Sequence, residues 1–242
     1  MSKSRPYEII YEDDDIIVIN KASQVLSIPD RHRPEIINIY TLLSEKYPEI
    51  YIVHRIDKDT SGVMIFAKNA EAHKDLNNQF ENRTTTKKYI AILRGIPFPE
   101  QGRIEAKIGP HPTQLGLMTV SSRGKEAITD YKVLEAFKDF SLVECTILTG
   151  RTHQIRVHTK YIGCPIAVDP QYGTHSSLFL SEFKKRKFKI GKFNEEIPML
   201  SRVPLHAFQL TIKHPRTGQE MTFEANPPKD IQAVLSQLRK WS

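Results

Sequence analysis

The feature that most restricts the fold is a succession of short apolar runs separated by turn-forming residues, with few helices between them. Such runs are typical of buried β-strands. They lie at 16–19, 51–53, 63–67, 88–93, 103–108, 117–120, 127–136, 142–148, 208–212 and 221–223. A doubly wound fold would need helices regularly interleaved with the strands. We therefore predict one mixed α/β (α+β) domain over residues 1–242, with a large, mostly antiparallel sheet flanked by helices and loops.

Four segments have the periodicity and end signals of helices, at 34–45, 70–80, 153–161 and 230–241. Asn69 and Thr152 are predicted N-caps, and Gly163 is a predicted helix terminator. The last helix carries its apolar residues on one face. The segment 214–218, His-Pro-Arg-Thr-Gly, is a predicted hairpin turn.

Composition excludes several classes of protein. No apolar run approaches 18 residues, so no transmembrane helix is expected. The first residues, Met-Ser-Lys-Ser-Arg-Pro, lack the apolar core of a secretory signal, and the two cysteines have no metal-ligand or disulfide spacing. We therefore expect a cytoplasmic protein. The formal net charge of +7 is compatible with a polyanionic partner.

A dense polar loop, His54–Gly62, lies between two apolar runs. Loops held by rigid strands often carry catalytic groups. An exposed turn, in which Asp and Ser bind the backbone, explains the same residues. The loop by itself does not decide between these two interpretations.

Three motifs carry a resemblance to a known family. They are HRIDKDTSGVMIFAKN at 54–69, KKYIAILRG at 87–95 and TGRTHQIRVH at 149–158. Two weaker segments follow, VDPQYG at 168–173 and LHA at 205–207 with His-Pro at 214–215. In order and spacing they resemble the RluA-type pseudouridine synthases. The pattern departs at 20–24, Asn-Lys-Ala-Ser-Gln, which lacks the family's Pro and Gly, and at Val168, where the family has Gly.

The resemblance implies a pseudouridine synthase fold and an active site built on Asp57, Tyr89 and Arg151. Asp57 is the implied catalytic carboxylate, Tyr89 the active-site tyrosine and Arg151 the basic residue that keeps Asp57 ionised. The pattern starts within the first ten residues. We therefore expect the short form of the family, without an N-terminal S4 RNA-binding domain.

Four further residues are predicted to contact the substrate. Arg55 suits the gap that a flipped base leaves, because its guanidinium is planar, charged and able to stack. Ile155 and Leu205 are predicted to close the pocket around the base. His54 belongs to the same group, and we expect it, like His153 and His206, to be a hydrogen-bonding scaffold residue.

The implied reaction breaks the N1–C1′ bond of a uridine and rejoins the base through C5. Because no redox step or group donor is involved, we expect no cofactor, and the spacing of the histidines predicts no metal site. Asp57 could attack C1′, attack C6 or remove the C2′ proton, and the sequence leaves these routes open. Tyr89 offers a flat face to the uracil and could help to remove the C5 proton.

The expected partner is structured RNA, bound by a monomer without an obligate protein partner. We favour large-subunit (23S) ribosomal RNA and keep transfer RNA, or both RNAs, as the alternative. A non-catalytic RNA-binding protein on the same fold is a further possibility. A basic cluster, tentatively a contact to the RNA backbone and equally explained as a solvated loop, contains Lys184, Lys185, Arg186 and Lys187.

Overall fold

A computed structural model describes residues 5–184 and 195–241, which divide into two compact units. The first unit comprises the chain up to Tyr89 together with His206–Asn226. The second comprises Ile90–Leu205 and the chain from Pro227 onward.

The strands in chain order are β1 (Tyr7–Glu12), β2 (Ile16–Lys21), β3 (Tyr51–Ile52), β4 (Ser61–Ala67), β5 (Thr86–Arg94), β6 (Gln101–Glu105), β7 (Ile108–Pro110), β8 (Met118–Val120), β9 (Ile128–Ala136), β10 (Phe140–Ile147), β11 (Leu205–Lys213) and β12 (Glu220–Glu224). The helices are α1 (Ile39–Ser44), α2 (Ala70–Glu81), α3 (Gln154–Tyr161), α4 (Leu180–Lys184) and α5 (Lys229–Trp241).

In the first unit β4 is the central strand, and each of its residues is buried. It pairs antiparallel with β2 and β3 and parallel with β11, while β1 and β12 extend the sheet on the far sides of β2 and β11. The helix α2 packs against β4, and burial of every residue of the strand accounts for its continuous apolar run. The core of this unit contains Ile16, Val18, Val63, Ile65, Ala72, Leu76, Leu210, Ile212 and Phe223.

In the second unit the strand order is β5–β10–β9–β6, and β9 pairs antiparallel with both β10 and β6. A short separate hairpin, β7–β8, lies against α3. Together with the first unit, these pairings confirm the predicted mixed α/β class with a mostly antiparallel sheet. Among residues 5–184 and 195–241, no helix has the length and apolar composition needed to cross a membrane.

Several local predictions are confirmed. The Asn69 side chain accepts a hydrogen bond from the N–H of Ala72 and caps α2. Gly163 follows α3 with φ +80°. The hairpin turn at 214–218 connects β11 to β12. The apolar face of α5 is buried, at Ile231, Val234, Leu235 and Leu238.

Other local predictions are wrong. The first helix begins at Ile39 rather than near Pro34, because Asn38 is extended and bridges to Leu26 before it caps α1. Thr152 does not cap α3, whose N-cap is His153 in the left-handed region. The predicted strand at 103–108 is divided between β6 and β7. β1 and α4 were not predicted, since neither has a clear apolar period.

Candidate active site

The polar loop lies between β3 and β4, as the sequence predicts, and its residues differ in exposure. Arg55 is exposed, Ile56 is buried and Asp57 is partly buried. The Asp57 carbonyl accepts a hydrogen bond from the N–H of Thr60, which closes a turn directly after the carboxylate. Asp57 therefore sits on a short rigid turn that begins the central strand of the first unit.

A buried lysine, which we did not predict as a site residue, holds this loop. Lys21 ends β2 with no exposed surface, and its ammonium donates to the carbonyl oxygens of Ala22, Val25 and Lys58 at 2.9, 2.7 and 3.2 Å. A buried ammonium needs such partners, because desolvation is otherwise costly. The bond to Lys58 ties the residue next to Asp57 to the end of β2. The signal in the sequence is a lysine two residues after an apolar run.

The segment after Lys21 is where the chain departs from the family pattern. Gln24 stands at the family's Gly position and adopts φ +68°, a conformation that favours glycine. Its backbone N–H donates to the Lys58 carbonyl, and its side chain donates to Asp59. The substitution therefore keeps a left-handed turn here, and the turn is bonded to the active-site loop.

His54 has the contacts of a scaffold residue, as predicted, and its contact with the substrate stays a prediction. Its ring stacks on Phe80 with 4.8 Å between centroids, and its Nε2 accepts a hydrogen bond of 3.1 Å from the N–H of Ile65. Burial, together with the positive charge of Lys87, lowers the pKa of His54 to about 3. The imidazole is therefore neutral near pH 7, in the form that this hydrogen bond requires.

The Thr-Ser-Gly end of the motif is structural. Nε2 of His206 lies 2.9 Å from the Ala225 carbonyl, which can only accept, so this nitrogen carries the proton. Nδ1 therefore accepts from the Ser61 hydroxyl at 2.9 Å. Gly62 has φ +118°, and a Cβ there would collide with the carbonyl of Ala207 on β11. These residues join β4 to β11 at the start of the strand that carries the loop.

Tyr89 lies on β5, in the part of that strand that belongs to the first unit, with 8% of its surface exposed. Burial and the negative charge of Asp57 both raise the pKa of Tyr89, so the phenol is protonated at neutral pH. The electrostatic coupling shows that the first unit brings two of the three predicted catalytic side chains close to each other.

The second unit holds Arg151. Its backbone N–H donates to Oε1 of Gln154, and its Nε donates to the Glu126 carbonyl at 2.8 Å. Gln154 is buried and also donates to the Ile128 carbonyl. This glutamine, to which we assigned no role from its motif, holds the Arg151 turn against the start of β9.

The predicted pocket-closing residues Ile155 and Leu205 also lie in the second unit. Each exposes 3% of its surface, so both side chains belong to the hydrophobic core when no substrate is bound. Their contact with a base stays a prediction.

Two motif residues in the second unit form a buried ion pair. Arg156 contacts Asp169 through two hydrogen bonds of 2.8 Å, and the side chains expose 2% and 0% of their surface. The pair fixes the 168–173 segment, where Val168 replaces the family's Gly, against α3.

Of the predicted basic cluster, only Lys184 falls within residues 5–184 and 195–241. It ends α4, and its ammonium lies 4.9 Å from the ring centroid of Trp241 on α5. Lys185, Arg186 and Lys187 lie outside the described residues.

Known proteins resemble this chain over most of its length. Residues 15–161 match the RNA pseudouridylate synthase family. An uncharacterized RNA pseudouridine synthase of Bacillus subtilis, YlyB, is 40% identical, over 96% of this chain and 73% of that protein. The ribosomal large subunit pseudouridine synthase D of Vibrio parahaemolyticus is 38% identical, over 97% of this chain and 71% of that protein.

The fold has a solved counterpart in human RNA pseudouridylate synthase domain containing 4. The TM-score is 0.72 at 26% identity, and the match covers 96% of this chain and 92% of the human one. It confirms the predicted fold class. Sequence and structure together show that the chain belongs to the RNA pseudouridylate synthase family, in its RluA-type branch, and is a pseudouridine-forming isomerase.

Proposed function

We propose that the chain converts uridine to pseudouridine in large-subunit (23S) ribosomal RNA, with Asp57 as the catalytic carboxylate. The observation that carries the catalytic assignment is the buried Tyr89 phenol beside Asp57, at a turn clamped by Lys21. The ribosomal substrate rests on relatives such as the Vibrio enzyme, whose name states that target. We further propose that residues 1–242 act as one catalytic domain, as a monomer in the cytoplasm.

The reaction conserves all atoms of the nucleoside. The N1–C1′ bond breaks, the uracil turns, a C5–C1′ bond forms, C5 loses its proton and N1 gains one. Asp57 can start this sequence as a nucleophile at C1′ or C6, or as the base at C2′. Each route requires the ionised carboxylate, and the rigid turn would hold it ready before RNA binds.

The protonated state of Tyr89 limits its part in the reaction. A phenol with a raised pKa presents its ring and its O–H to the uracil, and it is a weak base. If it removes the C5 proton, it must give up its own proton in the same step. We propose Asp57 as the acceptor, because its charge acts on the Tyr89 phenol.

Arg55 is the residue we propose for base flipping. It is exposed, and within residues 5–184 and 195–241 its guanidinium has no ion pair or hydrogen bond. A structural ion pair, which would explain the residue without RNA, is therefore not present among these residues. On their motifs alone, we retain Arg151 as the basic residue and Ile155 and Leu205 as pocket residues.

The experiment is a pseudouridine map of total RNA from cells that carry the wild-type gene, no gene or the Asp57→Asn variant. We expect one or more marks in 23S ribosomal RNA to disappear without the gene and not to return with Asp57→Asn. Asp59→Asn, the same change two residues along the loop, should restore them. Pseudouridine formed by purified Asp57→Asn protein would contradict the catalytic assignment. If marks are lost from transfer RNA alone, transfer RNA is the substrate instead of ribosomal RNA. If no mark is lost, the result favours a protein that binds RNA without catalysis.

A further inference from the structure

A cleft in the second unit, distant in sequence from the predicted catalytic residues on β5 and the polar loop, has the features of a ligand site. Two cavities of about 260 and 550 Å³ adjoin there and share His111, Thr119 and Val120. The smaller one lies between the β7–β8 hairpin and the end of α3, and the larger follows the hairpin to Arg123. A cavity of this size accommodates a nucleotide or a small peptide segment.

The wall of the smaller cavity is rigid. The Tyr172 hydroxyl accepts a hydrogen bond of 2.9 Å from the N–H of Met118 on β8 and lies 2.7 Å from Nδ1 of His153, at the start of α3. This hydroxyl therefore ties the hairpin to the helix. The buried Arg156, paired with Asp169, also donates to Oε1 of Gln171 at 2.8 Å. A site preformed in this way loses little conformational entropy when a ligand binds.

The lining is cationic and aromatic. Tyr161, at the end of α3, exposes 61% of its surface, and Lys160 beside it is also exposed. Arg123 supplies a second cation in the larger cavity. No aspartate or glutamate lines either cavity among residues 5–184 and 195–241. The charge of the cleft therefore favours an anion.

These groups match the parts of an unpaired nucleotide. An exposed tyrosine ring offers a stacking surface to a base, and a neighbouring lysine offers a charge to its phosphate. Gln171 has its carbonyl oxygen held by Arg156, so its amide nitrogen remains to donate to a base carbonyl. An inorganic anion could bind the cations, but it has no flat surface that would stack on the exposed ring of Tyr161.

We propose that this cleft, formed by the β7–β8 hairpin and the end of α3, binds an unpaired nucleotide of the RNA substrate, stacked on Tyr161 and held by Lys160. The proposal rests on the proposed function, since it assumes that the substrate is RNA. It assigns to α3 a second role, because the helix begins beside Arg151 and ends in the cleft.

The test is binding of a fluorescein-labelled oligouridylate, measured by anisotropy at several salt concentrations in the Asp57→Asn background, so that no turnover occurs. Tyr161→Ala should weaken binding about fivefold to tenfold. Lys160→Ala should weaken it and reduce the slope of log K against log salt by about 0.7, the value for one phosphate of a single strand.

Two matched variants serve as controls. Tyr161→Phe keeps the ring and should bind like the parent protein. Lys138→Ala removes an exposed lysine at the β9–β10 turn, which lines neither cavity, and should keep the parent salt slope. Folding of each variant is checked by its melting temperature. Because Tyr161 and Lys160 are exposed, we expect the variants at these two positions to fold normally.

The proposal is overturned if folded Tyr161→Ala and Lys160→Ala proteins bind the oligouridylate as the parent does, or if Lys138→Ala weakens binding equally. A photo-crosslink between 4-thiouridine-labelled RNA and the peptide containing Lys160 and Tyr161 would support it directly. Pseudouridine formation by the wild-type protein is a separate readout. If the wild type makes pseudouridine but the cleft variants bind RNA as the parent does, only this proposal is refuted. If the wild type makes no pseudouridine but Tyr161→Ala weakens RNA binding, only the proposed function is refuted.

Discussion

Lowering the pH from 7.5 to 5.0 should destabilise the protein by about 2 kcal/mol through His54 alone. The pKa of His54 is about 3 in the folded chain, because its ring is packed on Phe80 and lies near the charge of Lys87. In the unfolded chain it is about 6.5. Between these values the unfolded chain binds a proton that the folded chain does not bind. Stability is therefore complete above pH 6.5 and falls as the pH falls.

The window from pH 7.5 to 5.0 isolates histidine from the carboxylates. Asp13, whose pKa is lowered to about 2, loses its contribution only as the pH falls below its unfolded value of 3.8. His158 acts in the same direction as His54, since burial also lowers its pKa. A variant at position 54 is therefore needed to separate the two histidines.

The assay is urea unfolding of the wild type and His54→Gln at both pH values. A glutamine can accept the hydrogen bond from Ile65 through Oε1, but it does not titrate. We expect the wild type to lose about 2 kcal/mol more than His54→Gln between pH 7.5 and 5.0. Equal losses in the two proteins, or an imidazole of His54 that titrates near pH 6.5 by NMR, would refute the reasoning.

Three substitutions test other structural assignments through thermal or urea unfolding. Gly62→Ala should cost about 3 kcal/mol or more, from its positive φ and the collision with β11, whereas Gly150→Ala, which faces open space, should cost less than about 1 kcal/mol. Lys21→Met should cost about 3 kcal/mol, because the part-buried carbonyls of Ala22 and Val25 lose their donor, and an unchanged unfolding midpoint would contradict the clamp. Asp169→Asn should cost about 3–5 kcal/mol by leaving the charge of Arg156 buried and uncompensated, and a loss below about 1 kcal/mol would show that the pair is dispensable.

Local features of the sequence were sufficient where neighbours along the chain decide the structure. The apolar face of α5 repeats with the helical period and is buried as predicted. Asn69 caps α2 through a residue three positions away, and the turn at 214–218 closes on itself. The family could likewise be predicted, because each motif is a contiguous string of residues.

Elements whose ends depend on distant partners were predicted poorly. The bridge between Asn38 and Leu26 keeps Asn38 extended and so sets the start of α1, and the local signal, the capping side chain of Asn38, was not read from the sequence. The β1 strand has a mixed burial pattern, and it is a strand because it pairs with β2. In both cases backbone hydrogen bonds to another segment decide the conformation.

The sequence by itself determined which residues could perform the chemistry, since motif, residue type and order are properties of the chain. Only the tertiary structure decided what holds them. Lys21 binds the carbonyl of a residue 37 positions away, and Ser61 meets His206 across 145 positions. The protonation states of His54 and Tyr89 were decided in the same way. A pKa depends on burial and on nearby charge, and both exist only after distant segments have packed together.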